Sequence, residues 1–378
     1  MKCRVSLFVL LAVVCATPTI GQSVVEVVQV AAGVYAVQPP AAMRFDESNA
    51  VVFIREEGVL VVDTQTAPSS ARAVIAEIKK LTPKPVRWVV NTHWHGDHVQ
   101  GNSAYRDAFP GVEFIAHANT REDIEARAKP QIKEDIADSE GWLERARKAL
   151  ETGEAEGRKL TDEEKKQVAG RIERRAAAVA KLREVTEFVL PTRTFTQELD
   201  LPADASSSPA PASGSGSTPA SGSERGDGSG AIHLRHYLGH TRGDVVIHVP
   251  KDRVLITGDL LDDLPYTGHG SPQALLETLR ALDKLEFDAI VPGHGRVRRG
   301  EEAREHLRKT AELFDSIVKQ TKSAAAEGLS VDDAKKKVDV TALRAHFVTD
   351  DVSERYWGFF VGEAIARAHA EATGKVGD

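Results

Sequence analysis

Apolar and polar positions change period several times along the chain, and the changes mark out its elements. From Val24 the run "VVEVVQV", the turn "AAG" and "VYAVQ" read as two strands. "AVVFIREEGVLVVDT" holds two β-branched runs around Glu56 to Gly58 and predicts a hairpin ending at Asp63. "SARAVIAEIKKL" has the spacing of an amphipathic helix and is closed by Pro83. "VRWVVNT" and "VEFIAH" are short apolar strands, with a helix expected from near Asn119. From Arg121 to about Glu187, Glu, Lys, Arg and Ala dominate, with apolar residues at helical spacing in places. This predicts two or three solvent-facing helices, an insertion that reads as a charged surface, a lid or a partner surface.

Strand character resumes in "TRTFTQELDL". The stretch 203–230 contains no Val, Ile, Leu, Phe, Tyr or Trp, and a segment that buries so little is expected to be a flexible loop. Strands flank it closely, and doubling a loop costs only about 0.6 kcal/mol, so it reads as an expanded hairpin tip within one domain. "AIHLRHYLGHTRGDVVIHVP" and "RVLITGDLLDD" supply three more strands. "SPQALLETLRALDKL" is a helix with Ser271 as N-cap and Pro272 at its first position. "FDAIVPGHG" runs from strand into turn, and 300–378 reads as a C-terminal helical extension. Strands in two batches, each followed by helices, predict an α+β fold with two sheets face to face and helices outside.

The first residues depart from this pattern. Lys2 and Arg4 precede the apolar run Val5 to Ala16, and "TPTIGQ" follows, the layout of a signal peptide over 1–22. The run is shorter than the ~20 residues of a membrane span, so export to the periplasm or medium is expected, without stable membrane insertion after cleavage. Both cysteines, Cys3 and Cys15, lie in this segment, so a transition-metal site in the mature chain must be built from His, Asp and Glu. A formal charge of −7 argues against nucleic acid and anionic membrane as partners and leaves a small-molecule substrate.

Candidate chemistry is concentrated in "VNTHWHGDHVQGN". Residues i and i+2 of an extended segment point the same way, so His93 and His95 can grip one ion, while Asp97 and His98, past Gly96, face a second. "GHTRGD", "ITGDL" and "VPGHG" add His240, Asp259 and His294 at the ends of expected strands. His93, His95 and His240 make one site, Asp97, His98 and His294 another, and Asp259 is a carboxylate able to bridge them. The remaining histidines, apart from His269, have no ligand spacing. Tyr266 and His269, shortly after Asp259, are candidates for the substrate pocket.

"HWHGDH", "GHTRGD", "TGDL" and "PGHG", in that order after "LVVDT", resemble the metallo-β-lactamase superfamily over roughly Val24 to Arg299. The resemblance implies an αβ/βα four-layer sandwich, with a catalytic domain over 23–299, and the same ligand sets with Asp259 bridging two zinc ions. It further implies that Asp63 orders the metal loops and that Asp97 also orients or deprotonates the attacking water. The expected activity is metal-dependent hydrolysis, a metal-held hydroxide attacking an ester, thioester, lactone or amide carbonyl, with phosphorus or sulfur centres behind it. Asp rather than Cys or Ser at 259 points away from a dedicated antibiotic-degrading enzyme and towards the ligand set of glyoxalase II-type thioesterases and lactonases. Two alternatives stand beside this: a mononuclear iron enzyme (Fe2+) oxidising persulfides, and a non-catalytic metal-binding exported protein.

Overall fold

The computed structural model describes residues 25–155, 157–202 and 231–375. The expected signal peptide over 1–22 and the loop over 203–230 lie outside the described residues. The chain opens with an antiparallel meander, β1 (Glu26–Ala31), β2 (Val34–Gln38), β3 (Ala50–Ile54) and β4 (Val59–Val62). The β3–β4 pair is the hairpin expected around Glu56 to Gly58. After α1 (Pro68–Leu81), strand β5 (Val86–Val90) lies parallel to β4, followed by α2 (Gly96–Val99), α3 (Asn102–Ala108) and β6 (Glu113–His117). The insertion starts earlier than the charge pattern suggests, because the His117 ring accepts the Asn119 N–H and caps α4 (Ala118–Asp123). One π turn leads into α5 (Lys129–Thr152), a ribbon of β7 (Glu154–Ala155) and β8 (Arg158–Lys159), and α6 (Asp162–Leu182), which begins with a Thr161–Glu164 capping box. Strand β9 (Arg193–Phe195) then completes a seven-stranded sheet beside β6.

The second sheet has six strands: β10 (Glu198–Leu201), β11 (Ile232–Tyr237), β12 (Asp244–Val249), β13 (Val254–Gly258), β14 (Ala289–Pro292) and β15 (Arg298–Arg299). β10 and β11, on either side of 203–230, pair antiparallel. Between β13 and β14 runs α7 (Pro272–Leu282), which Ser271 caps by accepting the Ala274 N–H. Period-2 alternation divides the β-branched residues between two cores. Val51, Leu60, Val62, Val90, Ile247 and Ile256 fill the space between the sheets. Val52, Val59, Val61 and Val89 face outward onto Val74, Ile78 and Tyr105 of α1 and α3. On the far side, Leu255 and Ile290 pack on α7, α8 (Gly300–Ala326) and the C-terminal helices α9 (Val331–Lys337), α10 (Thr341–Phe347) and α11 (Asp351–Ala372). α7 and α8 lie together on this face, and the C-terminal helices pack on α8. Strands buried on both faces explain why the runs read as almost uninterrupted Val, Ile and Leu. Among the described residues no helix is long and apolar enough to cross a membrane.

Candidate metal centre

The parallel strands end at one edge, and the chemistry gathers there. Asp63 follows β4, His93 to His98 follow β5, Asp259 follows β13 and His294 follows β14, while His240 sits on the loop before β12. Two groups form: His93, His95, His240 and Asp259, then Asp97, His98 and His294, with ligand atoms in each within 4.8 Å of one another. In the first, His95 Nδ1 lies 3.0 Å from His93 Nε2 and 2.8 Å from His240 Nε2. Asp259 Oδ2 lies 3.3 Å from His240 Nε2. In the second, Asp97 Oδ2 lies 2.9 Å from His294 Nε2 and 3.4 Å from His98 Nε2. Asp259 reaches this group too, at 3.2 Å from His98 and 3.4 Å from His294, so it stands between the two.

The far nitrogens of the rings are tied to partners that fix which atom faces the centre. His240 and His294 direct Nδ1 at the carbonyls of Tyr266 and Arg44, both at 3.0 Å, where only an N–H can be satisfied. Each Nε2 is left facing inward, the nitrogen a metal would bind. His98 Nδ1 meets Asp63 Oδ2 at 2.8 Å, and Asp63 also accepts the Thr92 N–H and hydroxyl. Asp63 carries a left-handed backbone (φ 60°), a strain accepted where the turn leaving β4 must aim a carboxylate at the loop leaving β5. Asp244 accepts the backbone N–H groups of His240 and Thr241, and Asp262 accepts that of His294. A Cβ on Gly268 would stand 2.6 Å from the His240 ring, so that turn requires glycine.

Electrostatics divides the ligands. Burial and neighbouring imidazoles hold His93 and His95 well below the usual histidine range. Burial works against charge at His98 and His294 as well, but the pull of Asp259 and Asp97 outweighs it and holds both well above that range. Burial would raise Asp97 and Asp259, yet His98 and His294 keep both carboxyls well below theirs. A buried set of imidazoles and carboxylates with inward lone pairs is the donor chemistry of a divalent transition metal. Two atoms test the fit. His98 Nε2 and Asp259 Oδ1 are fully buried and face each other at 3.2 Å, yet neither finds hydrogen-bond geometry with any partner. A divalent cation held by both residues would satisfy these two atoms.

Tyr266 lines the adjoining pocket. His269 stands beside it: its Nδ1 lies 2.8 Å from Nε2 of His95, which lines the pocket, and its ring meets that of Trp94 at a tilt. Burial, then Arg367, lowers His269 to about 4, so it is neutral at neutral pH and can accept a proton from His95 Nε2. That leaves His95 Nδ1 free to bind. His269→Ala is expected to weaken metal affinity about 10-fold or more, measured by competition with a chromophoric chelator.

The pocket, about 180 Å³, has His95, Asp97, Asp259, Asp262 and His294 at its floor. Its walls are Phe45, Leu264, Tyr266 and, from α11, Tyr356, Phe359 and Phe360. Tyr266 stacks on Phe360 with ring centroids 4.7 Å apart, and Phe45 meets Tyr356 edge-on at 5.5 Å. α11 is pinned there by its N-cap Asp350, bonded to Arg44 at 2.7 Å, and by the Tyr356 hydroxyl on Asp46 at 2.6 Å. Sequence reasoning misses this wall, since aromatic residues on a terminal helix look like core. The one available signal is their density in "RYWGFF".

A four-layer sandwich with two ligand groups sharing a carboxylate at one sheet edge defines a metallohydrolase-type protein. The chain belongs to the metallo-β-lactamase superfamily, whose sequence pattern matches residues 43–294. It is 24% identical over 332 residues to the linear primary-alkylsulfatase of Pseudomonas sp. (strain ATCC 19151), covering 82% of this chain and 56% of that protein. The stereoselective inverting sec-alkylsulfatase Pisa1 from Pseudomonas sp. superposes with a TM-score of 0.57 at 14% identity, covering 92% of this chain and 50% of that one. A double mutant of the sec-alkylsulfatase PisA1 gives 0.59 at 15% identity, covering 93% of this chain and 50% of that one. The chain thus spans about half the length of these relatives, and the structural likeness speaks to the fold alone.

Proposed function

We propose that the protein hydrolyses sulfate esters of apolar alcohols at a centre of two zinc ions, one held by His93, His95 and His240, the other by Asp97, His98 and His294, with Asp259 between them. The observation that carries this reading is the junction of the two ligand groups with an aromatic pocket: charge chemistry at the floor, apolar walls above. The alkylsulfatase relative, matched over 82% of this chain, supports it and moves a sulfur centre ahead of the carbonyl that the ligand set alone favours. Two such cations lower the pKa of water towards ~7 and offset charge on the leaving group. The chain's own residues do the rest. The Asp97 carboxylate, 24% exposed where that of Asp259 is 5%, orients water and takes its proton. Phe360, Tyr266 and Leu264 hold the apolar group and exclude bulk water. Water and ester give the alcohol, sulfate and one proton. The second ligand group, complete from this chain's own residues, weighs against a mononuclear iron enzyme.

Sulfate release is expected from alkyl sulfates, with little turnover of thioesters, lactones, carboxylic esters or cephalosporins. Turnover confined to carbonyl substrates sinks the sulfatase reading, and one iron per chain by elemental analysis sinks the binuclear one. Phe360→Ala is expected to raise KM for a long alkyl sulfate about 10-fold, given ~25 cal/mol for each Å² of apolar surface that stays in water, while a short ester changes little. The composition of 1–22 keeps this an exported protein in the same proposal, tested by N-terminal sequencing of the mature chain.

A further inference from the structure

The charged insertion touches the metal loops at two places and the segment behind Asp97 at a third. At its start, buried Asp123 accepts two bonds from Arg242, at 2.8 and 3.0 Å, while Asn119 and Thr120 donate to the Arg242 and Gly243 carbonyls. These contacts grip the loop that carries His240. In the middle, Trp94, which lies between ligands His93 and His95, is buried with Val99 against Ile124, Ala128, Phe188 and Leu190 of the insertion and its exit. At its end, Lys181 in the last turn of α6 reaches the carboxylate of Glu47.

The third contact has the most specific geometry. The Glu47 side chain is 5% exposed, and among the described residues Lys181 is its one ion-pair partner. Glu47 also accepts the Ser70 hydroxyl at 2.9 Å and the Thr66 N–H at 3.2 Å. Its neighbour Ser48 is held by the Gln65 side-chain amide on its carbonyl and donates its hydroxyl to the Asp97 carbonyl at 2.5 Å. A buried carboxylate stripped of its paired cation is strongly disfavoured, so its side chain is driven towards solvent. That movement disturbs residues 47–48, and with them the backbone from which Asp97 projects.

We propose that the insertion is a clasp for the metal loops, and that Lys181 and Glu47 are positioning residues for the second metal site, acting on Asp97 through Ser48. Neither touches substrate or metal. The proposal rests on the binuclear centre, not on the identity of the ester.

The test is a zinc titration of the chelator-stripped full chain, in competition with a chromophoric chelator, across pH 6–9. Wild type is expected to bind two zinc. In Lys181→Met one binding event loses about 10-fold in affinity while the other holds, kcat falls with KM little changed, and Lys181→Arg restores both. Should Lys181→Met fail to fold, Ser48→Ala leaves the ion pair intact and is expected to weaken the same single event. Unchanged zinc affinities in both variants overturn the clasp, as does equal weakening of both events, which marks a merely structural loss. Fewer than two zinc on wild type overturns the binuclear reading first, and the clasp with it.

Discussion

Replacement of Asp97 by asparagine is expected to lower kcat for an alkyl sulfate about 10³-fold, with a modest change in KM. The asparagine keeps the shape and one oxygen near His98 and His294, which lie 3.4 and 2.9 Å from the carboxylate, but it loses the negative charge. That charge does two things. It helps hold a cation at the second group, and it accepts the proton of the attacking water from a position on the pocket floor. The apolar walls are untouched, so binding of the alkyl group should persist and the loss should fall on the chemical step. Initial rates of sulfate release against substrate concentration, with circular dichroism to confirm folding, measure this. Activity within 10-fold of wild type places the base elsewhere.

Metal removal should have the next largest effect. Chelation is expected to abolish activity and to lower the melting temperature by several degrees, since a cation present at 1,000 times its Kd stabilises the folded state by about 4 kcal/mol. The effect depends on pH in a definite direction. His98 and His294 are held above the usual histidine value in the metal-free protein, by Asp259 and Asp97 against the cost of burial. A raised value means stability fully present below the unfolded pKa of ~6.5 and lost as pH climbs through the folded values. Those protons are also the ones a metal must displace. Between pH 6.5 and 9 the metal-free melting temperature should therefore fall while zinc affinity rises, widening the gap between the two forms. Scanning calorimetry of both forms across that range checks it, and a gap that narrows contradicts the charge assignment.

The parts legible from sequence are those whose physics is local. The β3–β4 hairpin follows from two β-branched runs around Glu56–Gly58, and the start of α7 from Ser271 followed by Pro272. His93, His95, Asp97 and His98 reveal themselves because so many imidazoles in one short loop serve no packing purpose. His240, Asp259 and His294 emerge one at a time, each at the end of a strand. His269 is a further case: its position after Asp259 suggests the pocket, and only the fold shows that its ring reaches His95.

Sequence by itself determined the alternation that makes two sheets, the candidate metal-binding side chains and the charged face of the insertion, because backbone periodicity and donor chemistry are properties of neighbouring residues. Only the tertiary structure decided that Asp259 stands between the two ligand groups, that α11 brings Tyr356, Phe359 and Phe360 against Phe45, and that Lys181 neutralises Glu47. Those contacts join residues far apart in the chain. They exist because burying two sheets against each other brings the parallel strand ends to one edge, and no local pattern encodes which distant side chain fills the space that remains there.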